Sequence, residues 1–119
     1  MKIIIAGGRD FNNFEMVEQA MERFSNEVSE IVCGDARGAD SLGADWAFVH
    51  AVPVAHFPAD WEKYGKAAGH IRNRQMAEYA DYLVAFWDGK SKGTQNMIDT
   101  MSNLGKHGIV IRYEIIEGK

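Results

Sequence analysis

The chain has one cysteine, Cys33, and it lies in an apolar stretch. A disulfide framework and a multi-cysteine zinc site are thereby excluded, and Cys33 reads as a small core residue. Proline is scarce too: Pro53 and Pro58 are the only two among 119 residues. Long apolar runs are missing as well. The opening Met1-Lys2-Ile3-Ile4-Ile5-Ala6 turns polar at Arg9, too short for a signal peptide or a membrane span. A cytoplasmic location with no membrane contact is the expectation. Basic charge is not in excess, because 13 Lys and Arg face 17 Asp and Glu, a formal net charge of −4. Proteins that hold nucleic acid through its phosphates usually carry a basic excess, so this balance argues against a nucleic-acid partner. No repeat, linker or low-complexity run interrupts the sequence. The length fits one domain, residues 1–119, able to fold without staples. Disorder is expected only from Ile116 to Lys119.

What is present is an alternation of two periodicities. Lys2 to Ala6 is a short isoleucine-rich run ending at Gly7-Gly8, which reads as a buried strand. Phe14, Val17, Ala20, Met21 and Phe24 recur at helical spacing and predict a helix over residues 13–26, capped by Asn12 or Asn13. Glu30 to Cys33 is a second strand. Leu42, Trp46 and Val49 then share one helical face. Val52 to Phe57 is a third strand, with Pro53 tolerable near its start. Residues 58–66 read as one irregular segment, followed by a helix over 67–80. Tyr82 to Trp87 is a fourth strand. Met97, Ile98, Met101 and Leu104 mark a helix that stops at Gly105. Gly108 to Tyr113 is the fifth strand. Strand and helix in strict alternation predict an α/β fold: a three-layer, Rossmann-like, doubly wound, parallel five-stranded sheet.

In such a sheet ligands bind beyond the carboxyl ends of the strands, where strand order reverses. The loops that follow the strands carry the suggestive chemistry: Gly7-Gly8-Arg9-Asp10-Phe11; Gly34-Asp35-Ala36-Arg37-Gly38-Ala39-Asp40; Pro58-Ala59-Asp60-Trp61; and Asp88-Gly89-Lys90-Ser91-Lys92-Gly93-Thr94. Glycine lets backbone N–H groups approach a ligand, helix N-termini favour anions, and arginine grips phosphate or carboxylate with two parallel bonds. Each residue also has a plainer reading. The glycines could serve tight turns, Asp40 could cap a helix, and Arg9 and Arg37 could be surface charges. Only their gathering at one end of the sheet points to a phosphate-bearing ligand. Asp10, Asp35, Asp40 and Asp88 complicate this, since unpaired carboxylates repel phosphate. They could pair with the arginines, bind ribose hydroxyls or act through a divalent metal, and the sequence does not choose.

Two familiar patterns fail. Gly89-Lys90-Ser91 resembles the end of a phosphate-binding P-loop, but Val84 stands where that loop needs its first glycine. Gly89-Lys90-Ser91-Lys92-Gly93 matches a hydrolase nucleophile elbow, but His107 precedes the last strand, at the opposite end of the sheet. The histidines His50, His56, His70 and His107 show no metal-binding spacing, so no metal ligand is assigned. The segment from Trp61 to Arg74 couples aromatics to the basic residues Lys63, Lys66, Arg72 and Arg74. Trp61 could stack on a base and Arg72 could reach a phosphate, with a solvated helix face as the alternative. Asn73 is a poor helix former and so a better functional candidate than Arg74.

With these residues in view, the sequence resembles the YspA-like branch of the SLOG superfamily, which includes LOG-type phosphoribohydrolases and the Rossmann part of DprA. The resemblance rests on the loops from Gly7, from Gly34 and from Pro58, on Arg72-Asn73, and on Trp87 to Thr94. It implies strand order 3-2-1-4-5 and a nucleotide or nucleotide-derived ligand, such as an ADP-ribose-like or NAD-like molecule. Many members look phage- or prophage-encoded, and LOG-like relatives are often oligomeric, which makes a homo-oligomer the corresponding expectation. Ligand contacts are expected from Gly7, Gly8, Arg9, Asp10, Phe11, Gly34, Asp35, Arg37, Gly38, Ala39, Asp40, Trp61, Arg72, Asn73, Asp88, Gly89, Ser91, Gly93 and Thr94. LOG-type enzymes carry Pro-Gly-Gly-x-Gly-Thr-x-x-Glu. Here Gly93-Thr94 survives, but Gln95, Asn96 and Met97 occupy the stretch where the acidic residue belongs. Glycosidic cleavage needs a carboxylate there. No catalytic residue is assigned, and no cofactor is assured beyond a nucleotide ligand, with a divalent metal left open. Nucleotide binding is the leading expectation. A nucleotide-processing hydrolase or transferase comes second, and a DprA-like nucleic-acid binder third.

Overall fold

The computed structural model describes residues 1–35 and 38–114. Arg37, expected in the ligand site, and the tail expected to be disordered lie outside the described residues. Five strands, β1 (Lys2–Gly7), β2 (Glu30–Cys33), β3 (Val54–His56), β4 (Tyr82–Trp87) and β5 (His107–Arg112), form one sheet in the order β3-β2-β1-β4-β5. All four pairings are parallel, with Ile4 in register with Val32 on one side and Leu83 on the other. The fold class and strand order expected from the sequence are those observed.

Alternation along the strands makes the core two-sided. Ile3, Ile5, Val84 and Phe86 pack with Val17, Ala20 and Met21 of α1 (Phe14–Glu22) and with Trp46 and Ala47 of α2 (Ala39–Val49). Ile4, Ala6, Leu83 and Ala85 face the other way, onto Met76 and Ala77 of a helix spanning Ala68–Tyr79 and Met97 and Met101 of another spanning Lys92–Asn103. A sheet covered on both faces needs near-continuous apolar strands, and this is why β1 and β4 show no polar alternation. Order reverses between β1 and β4, and the loops after those two strands open side by side.

Three local readings need correction. The segment expected to be irregular contains a short helix, α3 (Trp61–Tyr64), and a 3₁₀ turn (Gly65–Ala67) that runs into α4 (Ala68–Tyr79). Asp60 caps α3 by accepting from the Lys63 N–H at 3.1 Å. The first helix ends at Glu22 rather than at 26, although Phe24 stays in the core. Val49 does not share the buried face with Trp46: it is 63% exposed and Phe48 is 87% exposed. The inner face of α2 is instead Ala39, Gly43, Trp46 and Ala47. A Cβ on Gly43 would lie 2.9 Å from Ile5 Cβ, so small residues set how closely α2 approaches β1. Hydrophobic periodicity overlooks such residues because they contribute little apolar area. The helix that follows β4 is α5 (Lys92–Asn103), capped by Ser91 as its position before the periodic run suggests.

Candidate functional site

An open cleft of about 580 Å³ lies across the carboxyl ends of β1 and β4. Of the residues expected to bind ligand, Gly7, Gly8, Arg9, Asp10, Asp40, Trp61, Arg72, Asn73, Asp88, Ser91, Gly93 and Thr94 line it. Gly34, Asp35, Gly38, Ala39, Gly89 and Phe11 do not. Phe11 is a core residue, 3% exposed, stacked on Phe86 with ring centroids 4.6 Å apart and tilted against Tyr113 at 4.8 Å. Ala39 is fully buried.

Most of the glycines are explained by the protein itself. A Cβ on Gly7 would sit 2.7 Å from Ala39 Cβ and against the Phe86 carbonyl. Added to Gly34 it would meet the Arg72 guanidinium, and at Gly89, where φ is +85°, that of Arg112. Gly38 has φ +80° and packs on the backbone of Gly8 and Arg9. Gly93 differs. It lines the cleft, no atom beyond its chain neighbours and its own helix backbone lies within 4 Å of where its Cβ would be, and its φ is not positive. Neither packing nor backbone conformation requires glycine at this second position of α5.

Each of the four aspartates has a partner within the protein. Asp10 accepts from the Tyr113 hydroxyl at 2.9 Å. Burial and this carboxylate push the Tyr113 phenol far above its ordinary range, so it stays a donor. Asp40 is not the helix cap, a place taken by Gly38; its carboxylate accepts from the Gly34 N–H at 3.2 Å, inside the turn. Asp88 accepts from the Lys90 and Ser91 N–H groups, each at 2.8 Å, and these two bonds lower its pKa. Asp35 turns away to His56, Oδ1 to Nδ1 2.5 Å.

The cations behave differently. Arg72 is committed, donating to the Gly34 carbonyl at 2.5 Å and to Asn73 Oδ1 at 3.1 Å. Asn73, 6% exposed, clamps α4 to α5 by donating to Asn96 Oδ1 at 2.9 Å and to the Gly93 carbonyl at 3.3 Å. Its selection as a ligand contact therefore needs a second role added: it holds the cleft wall in place. Arg9 and Lys66 are both exposed on the cleft, and neither makes a hydrogen bond or ion pair among the described residues. The stretch that bears the acidic residue in LOG-type enzymes carries only an amide network and a buried methionine. Gln95 bonds to Asp99, Asn96 to Asn73, and Met97 forms part of the cleft floor.

The sequence-based selection missed Lys66, Gly69 and His70 from α4 and the turn before it, and the apolar floor of Ala6, Met76 and Met97. Lys66 and His70 were visible as polar residues near the start of a helix. The two methionines carried no such signal, because methionine at helical spacing reads as ordinary core.

A family model described as the YspA, cpYpsA-related SLOG family matches residues 1–64, more than half of the chain. The chain belongs to that family. The resemblance carried by the Gly7 and Gly34 loops is thus confirmed, since both fall in the matched segment. Among relatives of this SLOG-family chain, the Gene 61 protein of Mycobacterium phage D29 is 38% identical over 82 residues, covering 63% of this chain and 65% of that protein. The chain therefore matches slightly less than two thirds of the length of that phage relative. Among solved structures, DNA processing protein A (DprA) from Streptococcus pneumoniae superposes with a TM-score of 0.78 at 18% identity, covering 98% of this chain and 52% of DprA. At that identity the likeness is one of fold. No helix among the described residues is long and apolar enough to cross a membrane.

Proposed function

We propose that the β1–β4 cleft binds a nucleotide or nucleotide-derived anion, with the phosphate near Arg9, Lys66 and the start of α5 and the base against Trp61. One observation carries the reading. The cleft's carboxylates are held by the protein's own donors, whereas the Arg9 and Lys66 side chains have no bonding partner among the described residues and line the same cleft as a glycine that packing does not require. A pinned carboxylate repels an approaching phosphate less than a free one, and Asp10 or Asp88 keeps lone pairs for ribose hydroxyls. Trp61 is 55% exposed and rests on Gly69, leaving an indole surface for stacking. Binding is favoured over cleavage because no carboxylate occupies the first turn of α5.

The test is a melting-temperature survey with mononucleotides, NAD and ADP-ribose. At ligand a hundred times its Kd the protein should gain about 2.7 kcal/mol. Gly93→Ala separates site from scaffold. Alanine at an exposed helical position should leave the unliganded protein as stable or about 0.5–1 kcal/mol more stable, while the new methyl group obstructs the ligand and removes the shift. A survey with no shift for any nucleotide ends this reading.

A second reading, nucleic-acid association, is supported by the DprA-like fold. The net charge of −4 weighs against it. It predicts oligonucleotide binding that weakens steeply with salt, with a log–log slope of about −0.7 for each single-strand phosphate neutralised. Nucleotide-induced stabilisation without such a slope decides for the small ligand.

A further inference from the structure

Outside the cleft, Cys33, Asp35 and His56 converge across the β2–β3 pair. Cys33 ends β2, His56 ends β3 and is its register partner, and Asp35 sits two residues beyond Cys33 with φ +60°. That left-handed backbone is uncommon for a residue other than glycine. Cys33 Sγ lies 3.8 Å from Asp35 Oδ1 and 3.7 Å from His56 Nδ1, and the oxygen and nitrogen are 2.5 Å apart. Three different donor types thus point at one another from two strand ends.

We propose that Cys33 Sγ, Asp35 Oδ1 and His56 Nδ1 form a binding site for a thiophilic divalent cation of the zinc class. Zinc binds thiolate, imidazole and carboxylate at about 2.3, 2.0 and 2.1 Å, which in a tetrahedron separates sulfur from either other ligand by about 3.5 Å and oxygen from nitrogen by about 3.3 Å. Both sulfur separations already approach this geometry. Only the oxygen–nitrogen pair must open, and both its side chains are partly exposed, 39% for Asp35 and 55% for His56. On binding, the Cys33 thiol proton leaves to solvent, and His56 gives up the proton that Nδ1 shares with Asp35, so that the neutral ring carries its proton on Nε2. Thiolate and carboxylate then balance the two positive charges, and water takes the fourth position. A hard cation such as magnesium is disfavoured by the sulfur and the imidazole. The site is independent of the cleft chemistry but is linked to it mechanically. Gly34, between two of the ligands, accepts from Arg72 and donates to Asp40, both of which line the cleft. A bound cation would therefore fasten the turn that carries the cleft wall.

Titration of the reduced full chain with Co²⁺, followed by displacement with Zn²⁺, tests this. One equivalent of Co²⁺ should produce a thiolate-to-metal charge-transfer band and the intense visible bands of a four-coordinate site, both abolished by Zn²⁺. Cys33→Ala should lose the charge-transfer band. His56→Gln and Asp35→Asn, at exposed positions that leave the core intact, should each weaken binding by more than about 100-fold, beyond the loss seen when a supporting residue is removed. Absence of a charge-transfer band in the parent chain overturns the proposal. So does Co²⁺ or Zn²⁺ affinity unchanged in His56→Gln and Asp35→Asn, which would assign the metal to an adventitious site such as the exposed His50–Glu18 pair.

Discussion

Replacing Phe11 by alanine is expected to destabilise the protein by about 3–5 kcal/mol, the usual cost of deleting a buried aromatic ring. Phe11 follows the Gly7-Gly8-Arg9-Asp10 loop directly, and position alone makes it look like part of a ligand-binding turn. Its ring is instead 3% exposed and lies nearly parallel to Phe86, 17° between planes, with Tyr113 tilted against it. The stack links the β1 loop to β4 and to the residue after β5. Truncation removes the transfer energy of the ring and leaves a cavity between two sheet strands and a loop that cannot readily collapse onto it. Domains of this size are stable by only about 5–15 kcal/mol, so the loss is a large fraction of the total. Urea denaturation of the variant should show the lower midpoint. An exposed ligand contact would behave in the opposite way, costing less than about 0.5 kcal/mol in stability while abolishing binding. That result would return Phe11 to the site. The stack also positions the chemistry, because Tyr113 holds the Asp10 carboxylate through its hydroxyl.

Gly38→Ala is the second large effect. Gly38 precedes α2 with φ +80° and ψ −127°, a conformation that side-chain-bearing residues rarely adopt. Backbone strain of that kind costs about 1–3 kcal/mol. Packing adds to it, since a Cβ would sit 2.8 Å from both Arg9 Cα and its carbonyl carbon and would also meet the Gly8 carbonyl oxygen. Those atoms are backbone of the β1 loop and cannot rotate away, so overpacking adds about 1–3 kcal/mol more. The Ala39 N–H also reaches the Gly8 carbonyl, at 3.4 Å, so the same displacement disturbs a loop-to-loop bond. Parallel denaturation curves for Gly38→Ala and Gly93→Ala check the contrast. The first should fall by several kcal/mol, and the second should not fall at all. Equal stability of Gly38→Ala and the parent chain would show that the close approach to the β1 loop is not what demands glycine.

These two residues mark how far the sequence could be read. Glycine at 7, 8, 34, 38, 89 and 93 looks the same in a linear reading, and all six were assigned to ligand binding. At five of them the space that a Cβ would need is filled, by backbone or a methyl group at 7 and 38, by the Tyr113 hydroxyl at 8 and by a guanidinium at 34 and 89. Only Gly93 faces open room at the cleft. The aspartates show the same ambiguity. Asp10, Asp35, Asp40 and Asp88 share a chemistry, yet each is tied to a different partner, two of them distant in sequence: Tyr113 for Asp10 and His56 for Asp35. Cys33 shows it again. Burial pushes its thiol up to about 11, in keeping with the core residue the sequence suggested, while the sheet register brings His56 beside it.

The sequence by itself determined the alternation of strand and helix, the covered parallel sheet and the end of that sheet where the loops would gather. Those properties are encoded within a few residues of each position, as a period of two or of 3.6, a cap or a breaker, and parallel βα units then bring their loops to one edge. Only the tertiary structure decided which loop residues face the cleft and which face the core. That depends on strand register and on how closely α2 and α4 approach the sheet, quantities set by contacts between residues tens of positions apart. The loops after β1 and β4 were legible because each is continuous in sequence. The Tyr113–Asp10 bond, the Asn73 clamp and the Cys33–Asp35–His56 cluster were not, because each joins elements whose separation in space no local pattern records.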